Sequence, residues 1–209
     1  MPWWKQIPWM GSLKVIGILA GVGYAVVTFF QWQDLRSNFK TSQRPWAYIP
    51  IAVGITTDRP LTFSEDRTTA ETWISSPIRN TGISPALNAM QQSTLVIAVE
   101  PMLIAGVQRN SPCDKNFIEQ ATKVVGFFVA PGDTVKTEPG KVPTTMPFPR
   151  QGEVSAVLQL CTGYRDQFGH SHGTGTNWHY VTTSGKTTFE PTGTIEGHWE
   201  YFGLGGTAY

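Results

Sequence analysis

The sequence predicts a mostly β protein that carries one membrane-spanning helix near its N-terminal end. Three observations carry that fold class. Residues 15–32, VIGILAGVGYAVVTFFQW, form an uncharged apolar run. The chain after residue 45 divides into short apolar stretches separated by Gly, Pro and Asn turns, the pattern of a sandwich or barrel. Within that part, only residues 114–123, DKNFIEQATK, have helical spacing.

The apolar run is 18 residues long. At about 1.5 Å per residue it covers roughly 27 Å, close to the hydrocarbon thickness of a bilayer. Trp3, Trp4 and Trp9 precede it, Trp32 closes it, and Lys14 at its edge can snorkel to headgroups. A helix apolar on every face has little use in a small β domain, which disfavours a buried core helix. A cleaved signal peptide is the other rival, but QWQDLRSNFK after the run offers no small-x-small cleavage site. Residues 1–14 then form a short tail and residues 33–44 a polar connector. No helix breaker stands in that connector before Pro45, so it can prolong the helix. Gly17, Gly21 and Ala25 recur every four residues, a small-residue face that lets two such helices approach. Glycine is also simply frequent in membrane helices, so the spacing supports a homodimer without requiring one.

In the β part, residues 46–53, WAYIPIAV, read as a first strand, with Pro50 marking an edge or a bulge. Residues 56–68 are polar and turn-rich. Residues 69–79 read as a second strand, and Trp46 and Trp73 are expected in the core. Asn80-Thr81-Gly82 forms a turn, because Asn bonds its own backbone and Gly supplies positive φ. Strands follow at 87–92 and 94–98, then the helix at 114–123. Residues 124–130 form an apolar strand and 136–152 a long Pro-, Thr- and Gly-rich loop. Strands at 153–161, 178–183, 186–190 and 198–202 complete the domain, which is set at 45–203. Residues 204–209 read as a flexible tail.

Charge is uneven. Before Pro45 stand five Lys/Arg and one acid, Asp34, which leaves eleven of the 16 basic and fourteen of the 15 acidic residues to the remainder. The first part is therefore +4 and the domain −3. A mildly acidic domain without a basic stripe excludes nucleic acid as a partner. The basic residues beside the apolar run suit anionic lipid headgroups. They do not fix orientation, since Lys5 and Lys14 precede the run while Arg36, Lys40 and Arg44 follow it.

Three stretches together carry a resemblance: Arg44-Pro45-Trp46 directly after the membrane segment, Asn80-Thr81-Gly82 with Pro85-Ala86, and the run from Tyr164 to His172 with Thr174 beyond it. The last fits the pattern Y-x-D-x-F-G-x-x-H-x-T through Tyr164, Asp166, Phe168, Gly169, His172 and Thr174. The set resembles a family of uncharacterised bacterial single-pass membrane proteins with an extracytoplasmic immunoglobulin-like β domain. That resemblance implies a short cytoplasmic N-terminus, an immunoglobulin-like β-sandwich outside the cytoplasmic membrane, and no assigned activity.

Candidate chemistry centres on the same run. His170 and His172 would share a face of a strand, and with His179 or His198 could make a zinc site. Glycines at 169, 173 and 175 argue instead for a loop without a fixed face. Asp166 and His172 could form an acid–base pair, but no nucleophile stands beside them. The structural reading, which we adopt, has the Asp166 carboxylate accepting backbone N–H groups of its own turn. Cys113 and Cys161 are the only thiols; they either close a disulfide or remain unpaired, one of them in a strand core. No catalytic, cofactor-binding or metal-ligating residue is assigned. The expected function is a membrane-anchored extracytoplasmic module that binds a protein, with the bilayer and a second copy as further partners. The alternatives are a metal-dependent enzyme built on the His170/His172 loop and a structural subunit of an envelope complex.

Overall fold

The computed structural model describes residues 9–100, 113–121, 123, 125–144, 147–149 and 151–203. The chain divides into two compact units, Met1–Gln43 and Arg44–Tyr209. Of the tails expected at 1–14 and 204–209, residues 1–8 and 204–209 lie outside the described residues, and residues 9–14 belong to the helix described next.

In the first unit a single helix, α1 (Trp9–Ser42), takes in both the apolar run and the connector. Its stretch Ile16–Lys40, 25 residues with mean hydropathy 1.3, is long and apolar enough to span a membrane, and none of it is buried. The helix runs on past the apolar run through the connector, as its sequence allows, because Gln31 to Ser42 contains neither Gly nor Pro. The helix ends just ahead of Pro45, which pushes Arg44 out of helical geometry.

The second unit is a β-sandwich with one short helix. One layer is a five-stranded sheet in the order β12-β10-β9-β5-β6. Its strands are β5 (Ala86–Ala98), β6 (Phe127–Val129), β9 (Ser155–Arg165), β10 (Ser171–Thr182) and β12 (Gly197–Tyr201). The other layer holds a four-stranded sheet, β11-β2-β3-β8, formed by β2 (Thr56–Phe63), β3 (Ala70–Ser75), β8 (Gly140–Pro143) and β11 (Thr194–Ile195). It also holds a three-stranded sheet, β1-β4-β7, from β1 (Ala47–Tyr48), β4 (Pro77–Asn80) and β7 (Thr134–Lys136). The chain passes from one of these sheets to the other at Ser76. The hydroxyl of Ser76 donates to Gln91 Oε1 at 2.5 Å, tying the crossing to the opposite layer.

Alternation along the strands builds the core. Ala156, Leu158 and Leu160 of β9, Trp178 and Tyr180 of β10, and Leu95 and Ile97 of β5 meet Leu61, Phe63 and Ile74 from the facing sheet. A smaller cluster, Ala47, Ile78, Ala86, Ala89, Val129 and Tyr164, closes one end. The outer face of β9 and β10 is covered by α2 (Lys115–Ala121), whose Ile118 packs with Cys113 and Cys161. Gly173 permits this approach: a Cβ there would come within 2.5 Å of Ile118 Cδ1.

Several expected elements changed. The first strand shrinks to Ala47–Tyr48, and the chain turns at Pro50, whose carbonyl accepts the Val53 and Gly54 amides. Residues 56–63 form a strand although their composition is polar, because they pair along β3, and only Leu61 and Phe63 among them are buried. The strand expected at 69–79 is two strands in two sheets, and those expected at 87–92 and 94–98 are one. A bulge at Asn88, which sits at φ 51°, keeps β5 continuous while shifting its register. The expected loop 136–152 contains β8, and residues 186–190 contribute only the bridge Phe189–Val154. Phe127 and Phe128 of β6 are exposed rather than buried.

Neither expected core tryptophan is in the core. Trp46 is exposed under the Arg44 guanidinium, 4.8 Å from its ring centre. Trp73 is half-buried and faces outward, covered at the same distance by Arg59. In β3 it is Thr72 and Ile74 that point inward, so alternation assigned Trp73 to the opposite face. Among the described residues, the buried tryptophans are Trp178 and Trp199.

Candidate functional site

The chain of β9 reverses into β10 through residues 166–170, and Asp166 organises that turn. Its carboxylate is nearly inaccessible. Oδ1 accepts the amides of Phe168 at 2.9 Å and His170 at 2.8 Å. Oδ2 accepts His170 Nδ1 at 3.1 Å and His172 Nε2 at 3.0 Å. A carboxylate only accepts, so these contacts place a proton on Nδ1 of His170 and on Nε2 of His172. The Asp166 amide donates to the His170 carbonyl, and Gly169 supplies φ 88° so that its own amide can return to the Asp166 carbonyl. Burial pushes the Asp166 carboxyl up, but the His172 ring, the His170 amide and ring and the Phe168 amide outweigh it and hold it below its usual value.

The next inward residues extend the cluster. His172 lies opposite Tyr164 in the ladder, with ring centres 5.6 Å apart. Tyr164 is fully buried and its hydroxyl donates to the Pro45 carbonyl at 3.2 Å. Burial raises the phenol's pKa against the opposing pull of Arg44, Thr174 and Ala47, so it stays neutral and remains a donor at physiological pH.

Asn80 forms the second half of the same end. Its Oδ1 accepts the Trp46 amide at 3.1 Å and the Gly82 amide at 2.9 Å. Its Nδ2 donates to the carbonyls of Ser84 at 2.8 Å and Val129 at 3.0 Å. Gly82 lies against the entering chain: a Cβ there would come within 2.5 Å of the Arg44 carbonyl oxygen and of Pro45 Cα. Pro85 is half-buried at the end of this turn. The three stretches singled out in the sequence thus converge: Tyr164 holds Pro45, Asn80 holds Trp46, and Gly82 admits them.

The other histidines are not brought in. His172 faces the core side of β10, whereas His179, an odd number of residues on, faces the other side. Burial lowers the His179 pKa against the charges of Glu100 and Glu200. His198 is exposed and meets Glu200 Oε1 at 2.9 Å. Among the described residues no group of three His, Cys, Asp or Glu side chains is placed to hold a metal.

Cys113 and Cys161 form a disulfide, with Cα atoms 5.0 Å apart. In α1 the Cβ positions of Gly17 and Gly21 meet open space.

Sequence reasoning missed an open groove on the flank of the sandwich. Ile74, Met90 and Val142 line it, with Phe127, Thr137 and Lys141 at its sides, and its volume is about 680 Å³. Val125, also in its lining, is exposed, and Phe128 is exposed on the other face of β6. The apolar run 124–130 was the available signal, but it implied a buried strand.

The Asp166 network supports an expected acid sensitivity. A carboxyl held below its ordinary value of 3.8 in the fold stabilises the domain above that pH, and the contribution is lost as pH falls through the depressed folded value. Asp166→Ala should cost about 1–3 kcal/mol at neutral pH, since it strands two backbone amides. Asp166→Asn should flatten the decline in stability below about pH 4. Urea unfolding of the full chain at pH 7 and at pH 3 measures both. An Asp166→Asn curve parallel to wild type across that range would remove Asp166 from the acid response.

No protein-family model, curated protein or solved structure matches the chain.

Proposed function

We propose that this chain is a single-pass membrane protein whose immunoglobulin-like domain stands on the extracytoplasmic, periplasmic side and binds a protein partner. The groove beside β6 is the observation that carries the binding role. It is apolar along its floor, open to solvent, and bordered by exposed Val125 and Phe127. Contiguous apolar surface of this kind suits a protein segment. The Asp166–His170–His172 constellation supports no competing chemistry, because both carboxylate oxygens are occupied by the turn they stabilise.

Location rests on two features. A 25-residue apolar helix with no buried residue suits a bilayer. A disulfide across a separation of 48 residues persists in an oxidising compartment. The basic residues around the helix leave sidedness open, so the disulfide and the family resemblance carry that part.

A C-terminal alkaline-phosphatase fusion should be active in cells, and inactivity alongside an active cytoplasmic reporter at the same position would reverse the topology. A photo-crosslinking amino acid replacing Val125, which lines the groove and is exposed, should give a discrete heterologous adduct in intact cells, and one replacing exposed Val53 should not. Absence of any adduct at Val125 would remove the groove as the binding surface.

A further inference from the structure

One end of the sandwich gathers four chain segments. Ala47 pairs with Asn80, so the entering residues 44–46 and the turn 81–85 share an end. Val129 pairs with Ala86 at the start of β5, and the Gly132 amide donates to the Asn80 carbonyl, which brings in residues 130–133. Arg165 closes β9 opposite both Leu87 and Ser171, which adds the turn 166–170. This is the end at which the chain enters the domain, at Arg44.

Three of these four segments present a large apolar side chain to solvent: Trp46 is 44% exposed, Ile83 65% and Phe168 37%. Isolated exposed apolar residues are ordinary on a protein surface. Here all three lie at one end of the domain, Ile83 and Phe168 on turns and Trp46 in the entering chain, where polar residues are usual. The charges at the same end are mostly positive: Arg44, Arg79 and Arg165, with Asp133 the one exposed acid on the four segments. Asp166 faces inward to its histidines. A tryptophan, two other apolar side chains and flanking arginines are what a bilayer interface accepts, with rings and aliphatic groups at headgroup depth and guanidinium groups on phosphates.

We propose that this end of the domain docks on the membrane surface, with Trp46, Ile83 and Phe168 entering the headgroup layer and the exposed Arg79 and Arg165 meeting anionic lipid phosphates. The proposal rests on the reading of α1 as a membrane anchor: the domain begins two residues after α1 ends at Ser42, so its entry end is held within reach of the bilayer. Docking there would leave the groove beside β6 clear for a partner.

The native cysteines are joined, so a single introduced cysteine in the full chain can be labelled with a polarity-sensitive fluorophore. Four variants suffice: Ile83→Cys and Phe168→Cys at the docking end, Val125→Cys on the flank, and Val26→Cys in α1. Each is reconstituted in phosphatidylcholine vesicles containing phosphatidylglycerol and lipid with a headgroup-level or acyl-chain nitroxide. Labels at 83 and 168 should be quenched by the headgroup nitroxide at least about twofold more than the label at 125, and less in vesicles without phosphatidylglycerol. Quenching at 26 by the acyl-chain nitroxide but none at 83 and 168 overturns docking alone. Labels at 83 and 168 shielded from both lipid nitroxide and aqueous iodide overturn it in favour of a protein contact. Absence of quenching at 26 overturns the anchor and the docking together.

Discussion

Replacing Cys113 and Cys161 together by alanine should lower the stability of the full chain by about 4 kcal/mol. The bridge closes a separation of 48 residues, and the chain-entropy cost of leaving that loop open has this size. The native side is also affected. At seven residues, α2 is too short to persist alone, and its seat on β9 and β10 consists of Ile118, Phe117 and the two sulfurs. For a domain of this size the midpoint of thermal unfolding should fall by about 10 °C. The same shift should follow reduction of the wild-type chain with dithiothreitol. An unchanged midpoint in both experiments would mean that the bridge constrains neither state.

Asn80→Ala should cost about 3–4 kcal/mol, although it removes only a small polar side chain. The amide makes four hydrogen bonds and is fully buried. Without it the amides of Trp46 and Gly82 and the carbonyls of Ser84 and Val129 lose their partner, and three chain segments lose their common tie. Asn80→Asp separates this role from packing, because its shape is retained. A carboxylate can still accept from Trp46 and Gly82 but would face the Ser84 and Val129 oxygens with no proton to donate. It should therefore be at least as destabilising as alanine at pH 7, and less so in mild acid, where protonation restores one donor. Chemical unfolding of both variants measures this. A loss below about 1 kcal/mol for either at pH 7 would show that water replaces the amide without cost.

The sequence by itself determined the elements whose cause is local. The helix follows from an unbroken apolar run, and the turns at Asn80–Gly82 and Asp166–Gly169 follow from side chains that bond their own backbone; Gly169 has the positive φ such a turn uses, whereas Gly82 does not take the positive φ expected of it and is required instead because the entering chain leaves no room for a Cβ. The strands at β9 and β12 follow from short-range alternation. Its failures share one physical origin, which is that a strand's two faces are distinguished only by what packs on them. Trp73 and Ile74 are equally apolar neighbours, and only the facing sheet decided that Ile74 points inward while Trp73 lies under Arg59. Polar residues 56–63 became a strand because β3 offered a partner edge, while Phe127 and Phe128 of β6 remain exposed on its two faces, Phe127 beside the open groove. The meeting of Cys113 with Cys161, of Asn80 with Trp46 and of Tyr164 with Pro45 spans 34 to 119 residues of chain. Those contacts are set by strand order and register, which no local pattern encodes, so the tertiary structure alone placed the three recognisable motifs at one end of the sandwich.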